Sequence, residues 1–307
     1  MHATMFEGIF PVSAAPFTDK GFVDYDSLKE LVKFQIRAEA KGLVLFGFAT
    51  EFYKLSYLEK LQMLKTVKEA VSDAIPIIAS VTEQSTELAV WRAKEMQDNG
   101  ADALMVLPPF LIRVGKKGFI DHIKAIAKAV QIPVIIQYSP EETGVIIEAK
   151  TLAELMASQD NLQYIKVECK PPGPMISELL SEAVSTFGVF VGYAGIQMMD
   201  ALTRGAIGVM PGSSLTDIYC SIYKLYKSGK IDEANALHGK LVQFLNVIFQ
   251  SIEMIIKWEK IILKHRGIIA FDYCRHPCYE PDAVAIRQFN EAYSKFAQDF
   301  VIQGSRY

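Results

Sequence analysis

Eight short apolar runs, each followed by a longer segment of helical period, constrain this chain more than any other feature. The runs cover residues 8–15, 42–46, 76–81, 103–107, 133–138, 164–167, 189–193 and 206–210. Most are rich in Val and Ile and lack the in/out alternation of a half-exposed sheet. Strands that are apolar on both sides are covered on both sides, which is how parallel strands flanked by helices read.

The intervening segments carry helix signals. Ser56-x-x-Glu59 and Thr151-x-x-Glu154 have the form of capping boxes. Leu28, Leu31, Val32 and Ile36 form one apolar face, and Ala89, Ala93 and Met96 another. Gly100 and Gly205 stand where a helix would stop before the next strand. Strand–helix units repeated eight times predict an α/β fold, a (β/α)8 TIM barrel over residues 1–228, because parallel strands need helical crossovers and closure removes the sheet edges. An open doubly wound sheet is the rival, weakened by the lack of a G-x-G-x-x-G after the first strand. Beyond about Ser228 the strand pattern stops, and residues 229–307 read as a C-terminal helical extension packed on the barrel.

Charge removes several functions. Lys+Arg number 32 against Asp+Glu 35, a net charge of −3, so no basic field attracts nucleic acid. The most apolar stretch, 241–263, is broken by Glu253, Lys257, Glu259 and Lys260, which suits a buried amphipathic helix and not a membrane span. Residues 1–11 lack the pattern of a secretory signal. Cys169, Cys220, Cys274 and Cys278 are too sparse for a disulfide scaffold and fit a reducing cytoplasm.

In such a barrel the chemistry sits at the C-terminal ends of the strands. Lys166 is the outlier there, a lysine between Ile165 and Val167 in the body of a predicted strand. Burying an ammonium without a partner costs several kcal/mol, and a neutral amine is the nucleophile that Schiff-base chemistry requires. The plainer alternative is a strand-end lysine paired with Glu168 or reaching solvent. Glu51 is a candidate either for capping a turn or for orienting a substrate, and Tyr138 for core or for catalysis. No metal site is expected: none of the five histidines falls at a strand end, and Cys274-x-His276-x-Cys278 has none of the usual ligand spacings.

Taken together, Gly47 to Glu51 after the second strand, Gln137-Tyr138 before Pro140 and Thr143-Gly144, Ile165-Lys166 on the sixth strand, Gly192, and Gly205-Ala206-x-Gly208 resemble the dihydrodipicolinate synthase/N-acetylneuraminate lyase superfamily from about Gly8 to Pro277. The resemblance implies a (β/α)8 barrel with a helical extension, assembled as a homo-oligomer (dimer or tetramer). It also implies a lysine, here Lys166, that binds pyruvate or another 2-oxo acid as a covalent Schiff base without any separate cofactor. By family position Phe48, Ala49, Thr50, Glu51, Phe110, Gly192 and Met210 would bind substrate.

The departures are informative. Where the family has Gly-Thr-Thr-Gly-Glu or Gly-Ser-Thr-Gly-Glu, this chain has Gly47-Phe48-Ala49-Thr50-Glu51. The hydroxyl-bearing residues of the synthase proton relay correspond to Phe48, Phe110 and Gln137, and the arginine that binds the second synthase substrate corresponds to Glu142. Glutamine cannot act as a general base. Tyr138 is one position late and could substitute only through a local bulge, because neighbouring strand residues face opposite ways. These changes point away from the synthase reaction. They point to a class I aldolase or dehydratase with Lys166 and Gln137 (or Tyr138) as catalytic residues, and Thr50, Glu51, Glu83 or water moving protons. Glu51, Glu83, Glu142 and Glu168 together predict an acidic mouth, and hence a substrate with one carboxylate and a neutral or polyol tail. A barrel that binds a 2-oxo or sugar acid without turnover is the alternative.

Overall fold

A computed structural model of the protein describes residues 6–300; residues 1–5, including His2, and 301–307 lie outside the described residues. Its strands are β1 (Gly8–Ile9), β2 (Leu43–Leu45), β3 (Ile77–Val81), β4 (Ala103–Val106), β5 (Val134–Tyr138), β6 (Leu162–Val167), β7 (Gly188–Val191) and β8 (Gly208–Val209). They form one parallel sheet in the order β1-β8-β7-β6-β5-β4-β3-β2. The sheet curls until its edges meet. Val12 bridges both Val44 and Gly212, and the Val44 and Ser13 N–H groups donate to the Pro11 and Val44 carbonyls, both at 2.9 Å. The apolar run at 8–15 thus yields a strand of only two residues. Pro11 has no N–H to offer and interrupts the ladder.

The crossover helices are α1 (Tyr25–Arg37), α2 (Tyr57–Val71), α3 (Thr86–Asp98), α4 (Lys116–Ala129), the short α5 (Pro140–Thr143), α6 (Ala149–Met156), α7 (Pro172–Ser181), α8 (Met198–Thr203) and α9 (Thr216–Lys227). Ser56 caps α2 in a complete capping box with Glu59. The second expected box does not form: α6 starts earlier, at Ala149 after Glu148, so Thr151 lies inside the helix and its hydroxyl donates to Glu148 at 3.3 Å.

Two apolar layers follow from the strand pleat. Phe10, Val44, Ile78, Met105, Ile135, Tyr164 and Phe190 fill the barrel, while Leu45, Ile77, Val134, Ile136 and Val167 face the helices. After α9 come α10 (Ile231–Ile248), α11 (Ile252–His265) and α12 (Ala283–Phe300). The stretch 241–263 is therefore two helices, bent by 114° at the break. Ser251 starts the second by accepting the Met254 N–H at 3.3 Å. No single helix among the described residues is long and apolar enough to cross a membrane. The break turns α11 across the barrel mouth, where it packs on a 3-10 turn at Phe48–Thr50.

Candidate active site

Alternate residues of a strand share a face. Tyr164 belongs to the barrel interior, so Lys166 and Glu168 also point inward, at the C-terminal end of β6. Lys166 is 3% exposed, and its Nζ lies 2.8 Å from Glu168 Oε1. On β5, Gln137 is level with Lys166, because the β5–β6 register shifts by a residue between Val134 and Ile135. The Gln137 Nε2 group donates to Glu168 Oε2 at 2.6 Å. One carboxylate is thus held by an ammonium on one oxygen and an amide on the other, and the Tyr193 N–H approaches Oε1 at 3.4 Å. Gly192 makes room for it: a Cβ there would stand 2.1 Å from Glu168 Oε1.

Lys166 and Glu168 open onto a cavity of about 70 Å³. Phe48 and Ala49 wall it on the β2 side, Met210, Pro211 and Gly212 on the β8 side, and Ser139 and Glu142 past β5. Phe249, Ile252, Ile255 and Ile256 from the α10–α11 corner close the mouth. Burial, reinforced by the charge of Glu168, holds the Glu142 carboxyl above the usual carboxylate range. Tyr193 and Ala194 line the β7 side with φ of 48° and 49°, a left-handed conformation that non-glycine residues rarely adopt and that concentrates at functional sites. Burial and the nearby Glu141, Glu142 and Glu168 push the Tyr193 phenol well above its ordinary value. A larger groove of about 580 Å³, lined by Phe34, Asp217, Arg266 and Tyr293, holds no comparable nucleophile; its Arg266 is engaged by Asp217 at 2.7 Å.

Several expected site residues are placed elsewhere. Tyr138 points outward, where its hydroxyl donates to the Ile147 carbonyl at 3.1 Å and accepts the Ile147 N–H at 3.3 Å. Alternation along β5 from the inward Ile135 puts Gln137, not Tyr138, on the inner face, and the register shift upstream sets Gln137 level with Lys166. The Thr50 hydroxyl donates to the Ser13 carbonyl at 2.7 Å. Glu51 is wholly buried, in contact with Lys260 and 3.0 Å from Lys54. Glu83 lies 3.6 Å from Arg92. Phe110 packs edge-on against Phe52 and is not among the cavity-lining residues. The acidic mouth accordingly shrinks to Glu142 and the paired Glu168. Of the expected binding residues, Phe48, Ala49 and Met210 reach the cavity, and Gly192 borders it through Glu168.

In the sequence Glu168 reads only as a neutralising partner, although its spacing of two from Lys166 marks it as sharing that face. The apolar spacing of the α10–α11 wall marks a helix in the sequence but not that this helix covers the cavity. One turn after Ile255 and Ile256, α11 also carries Glu259 and Lys260. Glu259 accepts the Ser214 N–H and hydroxyl, both at 2.8 Å, while Lys260 contacts Glu51. Each therefore grips one rim loop. Outside the cavity lining, His276, Cys278 and Glu280 bring one donor atom each within 4.8 Å of one another, and the Cys278 thiol donates to Glu280 at 3.2 Å. Cys274 is separate from this group, its thiol pushed up to about 12 by burial.

Comparison with known proteins converges on one family. The sequence model of the dihydrodipicolinate synthetase family matches residues 5–295. The L-2-keto-3-deoxyarabonate dehydratase of Azospirillum brasilense is 27% identical over 286 residues, covering 91% of each chain. The 4-hydroxy-tetrahydrodipicolinate synthase of Haloarcula marismortui is 31% identical over 254 residues, covering 81% of each. Among solved structures, a prophage protein of the dihydrodipicolinic acid synthase family from E. coli K12, in complex with pyruvate, superposes with a TM-score of 0.88 at 19% identity, covering 96% of this chain and 99% of that one.

Proposed function

Since the chain belongs to the dihydrodipicolinate synthetase family, we propose that it is a lyase that binds a 2-oxo acid as a Schiff base on Lys166 and acts as an aldolase or dehydratase. The observation that carries this reading is the amine of Lys166, buried at the C-terminal end of β6 and opening on the cavity. Attack on the C2 carbonyl, with loss of water, gives an iminium that withdraws electrons from C3 and makes the neighbouring C–C or C–O bond breakable. The backbone amides of Phe48 and Ala49 offer donors for the substrate carboxylate, and Gln137 orients the machinery from β5. Phe48, Phe110 and Gln137 at the hydroxyl positions, and Glu142 at the arginine position, favour a substrate other than that of the synthases. The Azospirillum dehydratase, similar across 91% of the chain, makes a 3-deoxy-2-oxo sugar acid the first substrate to test. A homo-oligomer working in the cytoplasm completes the proposal.

The test is borohydride reduction in the presence of pyruvate and a panel of 3-deoxy-2-oxo sugar acids, followed by peptide mass mapping. A reduced adduct on Lys166, absent from Lys166→Ala, is the expected result. No adduct with any 2-oxo acid overturns the lyase reading. Adducts without product across the whole panel would favour a binding barrel.

A further inference from the structure

The loop between α11 and α12 carries side chains that the Schiff-base chemistry does not use. His276, Cys278 and Glu280 stand outside the cavity lining, each with one donor atom within 4.8 Å of those of the other two. We infer that these three residues form a binding site for a divalent transition-metal ion of the zinc class, with water in the fourth position. An imidazole nitrogen, a thiolate and one carboxylate suit zinc, whereas magnesium and calcium take oxygen ligands. The absence of a metal site expected from the sequence rested in part on the triplet Cys274, His276 and Cys278. Cys274 is buried apart from the group, and Glu280 supplies the third ligand in its place.

Donor spacing matches such an ion. Tetrahedral zinc, with bonds of about 2.3 Å to sulfur and about 2.0–2.2 Å to nitrogen and oxygen, sets its ligand atoms about 3.4–3.6 Å apart. Cys278 Sγ lies 3.6 Å from His276 Nδ1 and 3.2 Å from Glu280 Oε1. The sulfur is thus the corner shared by two edges of the tetrahedron, and the imidazole and carboxylate, both on exposed side chains, close the third. A spacing of two along an extended segment places the three side chains on one side. Tyr279, between them, turns the other way and packs against Trp258, with ring centres 6.5 Å apart.

Both ends of the segment are held, so the ligands are preorganised. On one side the Arg275 guanidinium donates to the carbonyls of Gly21 at 2.9 Å and Lys54 at 2.7 Å and pairs with Glu59, while Lys54 donates to the Arg275 carbonyl at 2.6 Å. His276 meets the Tyr273 ring edge-on, 5.8 Å between centres, and the Tyr273 carbonyl accepts from Lys260 at 2.9 Å. On the other side, two residues after Glu280, Asp282 accepts the Ala285 N–H at the start of α12 at 2.8 Å. The charges of Lys54 and Lys257 reach Cys278, but Lys54 is engaged by Glu51 at 3.0 Å and Lys257 by the Asp272 carbonyl at 3.2 Å. Neither ammonium competes for the three donor atoms. The ion would act as a clasp on the α11–α12 connection, whose carbonyls these lysines already tie down.

Cobalt and zinc titrations of the reduced, metal-free full-length protein test the site. Co2+ should bind at one equivalent per chain with the near-ultraviolet charge-transfer absorption of a cobalt–thiolate bond, and Zn2+ should displace it. With three protein ligands in place of four, calorimetry should give a Kd for zinc of about 1 µM. Cys278→Ser should abolish the absorption. His276→Ala and Glu280→Ala should each weaken zinc binding by about 100-fold, no less than the loss of an outer partner of a metal ligand causes. All three side chains are exposed or half-buried, so these variants should keep the circular-dichroism spectrum of wild type. Cys220→Ser, which changes a thiol on α9, should bind zinc like wild type. A wild-type Kd weaker than about 100 µM overturns the site. So does a cobalt–thiolate band that survives Cys278→Ser, or an unchanged zinc affinity in both His276→Ala and Glu280→Ala.

Discussion

Replacing Lys260 with Met should unsettle the rim of the barrel. Lys260 is 0% exposed; its ammonium touches Glu51, donates to the Tyr273 carbonyl at 2.9 Å and lies 4.1 Å from the Phe17 ring centre. Removing one member of a buried pair costs about 3–5 kcal/mol, chiefly because the other charge is left behind. Glu51 would keep Lys54 at 3.0 Å, which places the cost near the lower end, about 3 kcal/mol, against a native stability on the order of 5–15 kcal/mol. At roughly 2–4 °C per kcal/mol, the melting temperature should fall by about 6–12 °C. Circular-dichroism melts at matched protein concentration measure this. The triple variant Glu51→Gln/Lys54→Met/Lys260→Met removes all three charges of the group and should recover at least half of the loss, since an uncharged group of similar volume is often neutral to stability. A Lys260→Met protein within about 1 kcal/mol of wild type would refute the reasoning, as would a triple variant no more stable than the single one.

Two further outcomes are expected. Tyr138→Phe removes the hydroxyl that pairs with Ile147 and should cost about 1–2 kcal/mol in denaturant titrations while leaving adduct formation on Lys166 unchanged; a folded variant unable to form the adduct would contradict the outward placement of this ring. Arg275, helped by Ser56, lowers the Glu59 carboxyl from 4.5 to about 2. The folded state thus favours the charged form, so the stabilisation is complete above the unfolded value of 4.5 and is lost as pH falls toward 2. Because the pair is partly solvated, the effect is about 1–2 kcal/mol. Urea midpoints at about pH 5 and pH 3 should drop more steeply for wild type than for Glu59→Gln, and equal slopes would reject the role of the pair.

The barrel was readable because strands buried on both faces become unbroken Val/Ile runs, a local signature. Lys166 was readable for the same reason, as a charge inside such a run. Parity along β5 correctly made Gln137 the inner residue, and the structure adds the upstream register shift that sets it beside Lys166. Glu51 could not be read in the same way. Its partner stands 209 residues away on α11, and in the sequence that lysine looks like one more polar break in an amphipathic stretch. A pairing formed only when two elements dock leaves no periodicity in either. The same holds for the apolar wall at Ile252, Ile255 and Ile256, whose spacing announces a helix but not what the helix covers.

The position of Glu259 and Lys260 next to each other on one helix has a consequence for how this chain can diverge or be rebuilt. Each secures a different loop of the rim, Ser214 after β8 and Glu51 after β2, while residues one turn earlier on α11 roof the cavity. Rim and roof are therefore a single heritable package. A chimera that takes only the barrel or only the extension from a relative with different residues at these points strands a buried carboxylate or ammonium. A transplant that moves positions 51, 54, 214, 259 and 260 together keeps these pairings, and leaves the roof residues free to be exchanged for a new substrate.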